Sequence, residues 1–310
     1  MPSWTELLRN LESQPNESQK TWLIESFIVS LRSISQLRND RNVLFYSSAF
    51  LQKPTTPQIL LQITHEEING FMSVVHGMTC SKGLTLILHT PGGVTNATET
   101  IVSYLRSKFS DIEVVVPTFA MSAGTMISLA ADKIIMGRQS QLGPIDPQMP
   151  AGGRIVSAIA ILDQFERAKK EISEDREQAH LWAPILPSLG PALLQEAQNA
   201  IDYSEQIVAD WLEKYMFKNH KDPKKKALAV AKHFSRGSED EHRKKSHGRR
   251  IDSNEAKSQK LNIEDLESSQ GLQDAVLTAY HLMTILCEKS PAVKVLASQE
   301  GKWWIKNGPG

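Results

Sequence analysis

The sequence predicts an α/β fold: strand–helix repeats on a parallel sheet, with helical segments attached at both ends. Two stretches carry the prediction. Leu84 to Gly93 (LTLILHTPGG) and Ile112 to Gly137 (IEVVVPTFAMSAGTMISLAADKIIMG) each begin as a short apolar, β-branched run, the pattern of a strand buried on both faces. Each run stops at small residues and passes into a helical pattern. The order strand, helix, strand, helix repeats through Ile134, as in βαβ units, whose crossovers are right-handed.

The remaining elements follow from the same periodicities. Residues 3–38 read as two amphipathic helices, one with Trp4, Leu7, Leu8 and Leu11 in a stripe, the other with Trp22, Phe27, Leu31 and Ile34. Asn16 sits in the cap region between them. A helical layer on the core or on a neighbouring subunit is preferred to a partner-binding arm. Asn42 to Phe50 is a strand, and Pro54-Thr-Thr-Pro57 leads to a helix near His65 to Met78. Residues 155–173 and 190–219 read as long helices, with Ile155, Ile159, Leu162 and Phe165 on one face and Leu193, Ala197, Ile201, Val208 and Leu212 on the other helix's face. Pro184, Pro187 and Pro191 separate them. Residues 221–250 are dense in charge of both signs, including Lys224 to Lys226, Glu239-Asp240-Glu241 and Arg243-Lys244-Lys245. With almost no aromatic residues between them, these read as a solvated helix and an exposed loop instead of a nucleic-acid patch. The helix Gly271 to Glu288 and the tail with Trp303-Trp304 read as appended packing elements. The expected division is a helical arm (1–40), a core (41–265) and a C-terminal helix with tail (266–310).

Composition excludes several function classes. The chain has 310 residues, 40% hydrophobic and 23% charged, and its 35 Lys and Arg balance 35 Asp and Glu. No global field therefore recruits nucleic acid or an anionic membrane. Cys80 and Cys287 make no disulfide framework, which fits a reducing compartment, and neither has a partner at zinc spacing. No apolar run approaches the ~18 residues of a membrane span. The start, MPSWTELLRNLESQ, has early charges and no apolar stretch, unlike a signal peptide. A cytoplasmic protein with no metal, cofactor, nucleic-acid or membrane partner is expected.

The candidate chemistry lies where the two strand runs end. Ser122 falls at a strand-to-helix junction, near the positive end of a helix dipole. The Gly92-Gly93 turn follows the neighbouring strand and can aim bare N–H groups at the same point. A nucleophile beside an oxyanion hole is what acyl transfer requires. Alone, a Gly-Gly pair is a tight turn and a serine at a helix start is a cap; on successive strand–helix units the pair is less ordinary.

His-Thr-Pro-Gly-Gly (89–93), Ala-Met-Ser-Ala-Gly-Thr (120–125) and Leu-Gly-Pro-Ile-Asp-Pro-Gln (142–148), in that order, resemble the serine dehydrogenase proteinase family. This family belongs to the Clp-protease/crotonase superfamily and is related to signal peptide peptidase A. The resemblance spans about Asn42 to Met149, with an echo at 246–263 (Ser-His-Gly-Arg-Arg-Ile-Asp-Ser-Asn-Glu-Ala-Lys). There the closing Gly-Leu of those folds is replaced by Lys260-Leu261. The resemblance implies a Clp/crotonase-like ββα-superhelix core and a serine peptidase with Ser122 as nucleophile. Gly92 or Gly93 would supply one oxyanion N–H and Ala123 the second.

The base departs from the Clp pattern. Where the family's histidine is expected, this chain has Asp146 and no histidine. One hypothesis is a swapped triad of Ser122, His247 as base and Asp146 as orienter, since triads are defined by role and not by chain order. The competing base, from the Ser-Lys dyad of signal peptide peptidase A relatives, falls on Lys169 or Lys170, both beside glutamates. His89, at the end of a strand before Gly92, is expected to shape the pocket. The leading reading is a cytoplasmic, self-compartmentalised homo-oligomeric serine endopeptidase, ATP-independent or fed by a partner, acting on peptides or unfolded protein. The alternatives are a non-catalytic Clp-fold scaffold and a crotonase-like acyl-CoA enzyme. No G-x-G-x-x-G dinucleotide fingerprint is present.

Overall fold

A computed structural model describes residues 3–185, 192–237 and 246–308. Helices α1 (Trp4–Glu12) and α2 (Asn16–Leu37) come first. Strand β1 (Asn42–Ser48), helices α3 (Gln58–Leu61) and α4 (Glu67–Val75), strand β2 (Leu84–His89) and helix α5 (Thr95–Lys108) follow. Next are β3 (Ile112–Val116), the short β4 (Phe119–Ala120), α6 (Ala123–Leu129), β5 (Lys133–Met136) and the short β6 (Gln141–Leu142). A hairpin of β7 (Gln148–Ala151) and β8 (Arg154–Ser157) leads to α7 (Ala158–Glu174), α8 (Gln178–Trp182), α9 (Leu193–Lys214) and α10 (Pro223–Arg236). Then come α11 (Ser253–Ser258), β9 (Ile263–Asp265), α12 (Gln270–Lys289), β10 (Ala292–Ser298) and β11 (Trp303–Asn307).

The chain divides into two compact units, Met1–Leu142 with Arg250–Gly310, and Gly143–Arg249. The first is built on a seven-stranded sheet of order β11-β10-β1-β2-β3-β5-β9. Strands β1, β2, β3, β5 and β9 run parallel, whereas β10 is antiparallel to β1 and β11 to β10. Every residue of β1, β2 and β3 is buried, which is why these strands read as unbroken apolar runs. Helices α2 and α12 pack together on one face, closing a core that includes Phe27, Leu31, Phe45, Ile87, Val115, Val276, Met283 and Val295. At the amino ends of the parallel strands, buried Glu113 is paired with Arg38 and accepts from Thr85 Oγ1 (2.7 Å), while Arg41 pairs with Asp111 (2.5 Å). Charge thus closes one end of the sheet. The carboxyl ends, where ligands of open α/β sheets bind, carry the small-residue turns.

The second unit holds the β7–β8 hairpin and helices α7 to α10. Helix α9 packs against both α7 and α10. Ala158, Ile161, Leu193, Ala197 and Ile201 form its core. The face read on α9 is the buried one, whereas the buried side of α7 is Ala158, Ile161 and Ala168, with Ile159 and Leu162 only partly buried and Ile155 exposed.

Several expectations change. The tail does not merely pack: β10 and β11 are two strands of the main sheet. The division at 40 and 265 does not coincide with the two units, because α1 and α2 contribute Leu7, Leu11, Leu23 and Phe27 to the main core. Asn16 is the first residue of α2 and not its cap; Pro15 holds that place with no side-chain bond. The helix expected from residue 155 starts at Ala158, because 148–157 forms the hairpin. Of the charged stretch, α10 is as expected, while Glu239-Asp240-Glu241 and Arg243-Lys244-Lys245 lie outside the described residues, as do Pro187 and Pro191. Among the described residues no helix is long and apolar enough to cross a membrane.

Candidate active site

Two turns at the carboxyl ends of β2 and β3 are stitched together by their backbones. The Thr90 N–H donates to the Phe119 carbonyl (2.9 Å) and the Met121 N–H to the Thr90 carbonyl (3.1 Å). This brings Gly92 against Ser122. Gly92 has φ +106°, and a Cβ there would lie 2.6 Å from Ser122 Cβ and 2.8 Å from the Met121 oxygen. Only glycine combines that backbone angle with that approach. Gly93 is confined differently, since a Cβ would lie 2.2 Å from the Ile63 carbonyl oxygen.

Ser122 has φ +50° and ψ −112°, a conformation that costs a non-glycine residue about 1–3 kcal/mol and persists only where neighbours impose it. The neighbours here are hydrogen bonds: the Gly124 N–H to the Met121 carbonyl (2.8 Å) and Thr125 Oγ1 to the Ala120 carbonyl (2.7 Å). Ser122 precedes α6, yet its hydroxyl makes no capping bond. The serine is therefore not placed to cap the helix. Among the described residues its hydroxyl has no hydrogen-bond partner.

The backbone donors around it can be accounted for one by one. The Gly92 N–H donates to Thr90 Oγ1 (3.1 Å) and is spent. The N–H groups of Gly93 and Ala123 have no acceptor among the described residues. Of the three expected oxyanion donors, Gly93 and Ala123 are thus available and Gly92 is not. Thr90, which sequence reasoning passed over, makes the difference.

Asp146 and His247 meet in the second unit although 101 residues separate them. His247 Nδ1 lies 2.8 Å from Asp146 Oδ1, and Gln148 Nε2 donates to Asp146 Oδ2 (3.1 Å). Asp146 is buried, and the His247 side chain is 31% exposed. A carboxylate only accepts, so Nδ1 is the donor and, in the neutral ring, Nε2 carries the lone pair. This is the carboxylate–imidazole arrangement that fixes the tautomer of a general base.

The other expected site residues sit elsewhere. His89 does not line an open pocket. It is fully buried, boxed by Phe50 (5.0 Å between ring centroids), Tyr280 (5.0 Å) and Phe119 (6.1 Å). Its Nδ1 lies 2.9 Å from Thr118 Oγ1, and Nε2 has no partner among the described residues. Burial depresses its pKa to about 3, which keeps the ring neutral. Lys169 and Lys170 are 69% and 76% exposed and pair with Glu166 and Glu174. Neither is desolvated, as a neutral amine base has to be.

Residues 31–241 match the family of ClpP-like SDH-type serine proteinases. The chain belongs to this family. The matched stretch contains Gly92, Gly93, Ser122 and Asp146 and ends before His247. The Clp-like α/β fold expected from the motifs is the fold of the chain. Two uncharacterized proteins of Methanocaldococcus jannaschii are similar, one 42% identical over 87 residues and one 31% identical over 148. These matches cover 28% and 47% of this chain and 30% and 49% of the relatives, so the chain spans at most about half the length of the relatives it matches. Among solved structures, a mutant of the 1510-N membrane-bound stomatin-specific protease is 16% identical, with TM-score 0.37, covering 65% of this chain and 74% of that one. A ClpP1 mutant from Listeria monocytogenes is also 16% identical, with TM-score 0.35, covering 77% and 98%.

Proposed function

We propose that this SDH-type family member is a serine endopeptidase that hydrolyses peptide bonds through an acyl-enzyme on Ser122. The observation that carries the reading is the strained, uncapped Ser122 beside Gly92, with the Gly93 and Ala123 N–H groups left without acceptors among the described residues. Those two donors suit the oxyanion of a tetrahedral intermediate, each worth ~3 kcal/mol there. His247, oriented by Asp146, is the proposed base: Nε2 takes the Ser122 proton during attack and returns it to the leaving amine. Water then attacks the acyl-enzyme by the same route. The reading needs no cofactor or metal.

A serine-directed fluorophosphonate tests it. Wild-type protein is expected to label at Ser122 and to cleave unstructured polypeptides, and Ser122→Ala to do neither while keeping its fold. Cleavage by Ser122→Ala at the wild-type rate removes the assignment. An intact protein that neither labels nor cleaves favours the scaffold reading.

Peptides and unfolded chains are the proposed substrates, in a cytoplasmic homo-oligomer that keeps folded proteins out. Exposed apolar side chains in the second unit support assembly: Ile155 is 66% exposed and Leu181 67%. Light scattering at micromolar concentration should report a multiple of 34.6 kDa. A clean monomer defeats the self-compartmentalised mechanism.

A further inference from the structure

A buried ion pair lies one layer behind the Gly92–Gly93 turn and has no part in the chemistry above. Glu67, in the first turn of α4, and Lys294, on β10, are 0% and 1% exposed and paired with each other. We propose that Glu67 and Lys294 are positioning residues that hold Ile63 and, through it, the oxyanion-side turn.

The connections run by hydrogen bonds at each step. Lys294 Nζ donates to the Gln62 carbonyl (3.0 Å). Glu67 Oε2 accepts from the Thr64 N–H (2.7 Å) and from Thr64 Oγ1 (2.8 Å). The pair therefore grips the residues on either side of Ile63. Ser48 Oγ fixes the approach by donating to the Leu61 carbonyl (2.7 Å). Ile63 then pairs with the turn as a one-residue strand: its N–H donates to the Gly92 carbonyl (2.8 Å), and its carbonyl accepts from the Val94 N–H (2.9 Å). Gly93 lies between those two bonds, against the Ile63 backbone. The placement of the Gly93 N–H is set by Ile63, and that of Ile63 by the ion pair.

Stability alone does not account for charges at this spot. Burying two ions costs several kcal/mol each before their attraction offsets it, and well-packed apolar replacements are often equally stable. What apolar side chains lack is direction: they cannot hold the Gln62 carbonyl and the Thr64 N–H at fixed positions. A donor misplaced by about 1 Å costs on the order of 100-fold in rate.

The inference rests on Ser122 and this turn being an acyl-transfer site, so its test separates the two. Glu67→Met, Lys294→Met and the double variant are compared with wild type in melting temperature, kcat, KM and amide hydrogen exchange. Each single variant leaves one buried charge unpaired and loses stability; the double variant, with no lone charge, recovers most of it. Positioning predicts that kcat in the double variant stays about 100-fold down with KM within about threefold of wild type. It also predicts faster exchange at Ile63 and Val94 with unchanged exchange in β2. A double variant with wild-type kcat and wild-type exchange at Ile63 and Val94 overturns the inference. If wild type neither labels nor cleaves, the peptidase reading fails on its own. Exchange at Ile63 and Val94 then still decides whether the pair holds the turn.

Discussion

Replacing Gly92 by alanine tests the contact on which the site depends. The new Cβ would lie 2.6 Å from Ser122 Cβ and 2.8 Å from the Met121 oxygen, and the backbone at φ +106° does not suit an L-residue. Reaching ordinary contact with Ser122 requires the two turns to part by about 0.8 Å. Backbone strain of about 1–3 kcal/mol adds to overpacking of similar size, so the fold should lose roughly 2–6 kcal/mol. A parting of that size should lower kcat/KM about 100-fold. Gly301→Ala is the matched control, since Gly301 has φ +82° and nothing within 4 Å of its would-be Cβ. The control carries the conformational cost without the clash. Thermal melts and peptide cleavage on both variants, with the rate of fluorophosphonate labelling, give the comparison. If Gly92→Ala and Gly301→Ala lose the same stability and neither loses activity, the closeness of the two turns does not matter to catalysis and the reasoning fails.

His247→Ala should cost more peptidase activity than Lys169→Ala and Lys170→Ala combined, because Asp146 fixes the imidazole while both lysines are solvated; the reverse ranking would move the mechanism to a Ser-Lys dyad. Acid should destabilise the fold through His89, whose pKa is depressed by burial from 6.5 to about 3. Between those values the unfolded chain binds the proton and the folded chain does not. Stability is therefore full above pH 6.5 and is lost as pH falls, with this residue contributing a slope of up to about 1.4 kcal/mol per pH unit. Denaturant titrations of His89→Gln from pH 7 to pH 4 should show a shallower loss than wild type, and parallel curves would refute the argument.

What the sequence made legible depended on how local the deciding forces are. Strands β1, β2 and β3 could be read because burial on both faces leaves an unbroken apolar signature. Strand β10 could not, because Lys294 interrupts its apolar run and its partner β1 lies about 250 residues away. That lysine was itself a signal: a single charge in an otherwise apolar run asks for a buried counter-ion. The β7–β8 hairpin also had a signal, a Gly-Gly pair at 152–153 between short flanks, but the helical periodicity beginning at Ile155 masked it. The adjacent tryptophans show how a strand resolves an ambiguous pair. Alternate faces send Trp303 onto Phe27 (5.2 Å) and Trp304 onto Gly70, where a Cβ would lie 2.8 Å from the indole. Lys260 stands where the resemblance expects glycine, and its φ of +63° keeps the left-handed turn that glycine would have made. The Asp146–His247 bond joins residues too distant for any local pattern, and only the family's motifs pointed to it.

The arrangement around Ser122 also explains why motif residues with no chemical group matter there. Backbone contacts carry much of the geometry, and the Thr90 and Thr125 hydroxyls fix single groups within it. The close approach of the two turns is made by glycines at 92 and 124, where a Cβ on Gly124 would lie 2.4 Å from Thr90 Cγ2, while Gly93 lies against the Ile63 backbone. Such an approach leaves amide donors crowded together, and each must be satisfied or exposed to solvent or substrate. Thr90 satisfies one of them through its hydroxyl, and the Gly93 and Ala123 donors have no acceptors among the described residues. Valine is nearly isosteric with threonine but lacks the hydroxyl. With valine at position 90, the Gly92 N–H would lose its acceptor and the turn would be free to rotate until another carbonyl took it. The threonine of the His-Thr-Pro-Gly-Gly motif thus sets which amides of the turn are left without an acceptor among the described residues, a role visible only after every N–H has been assigned.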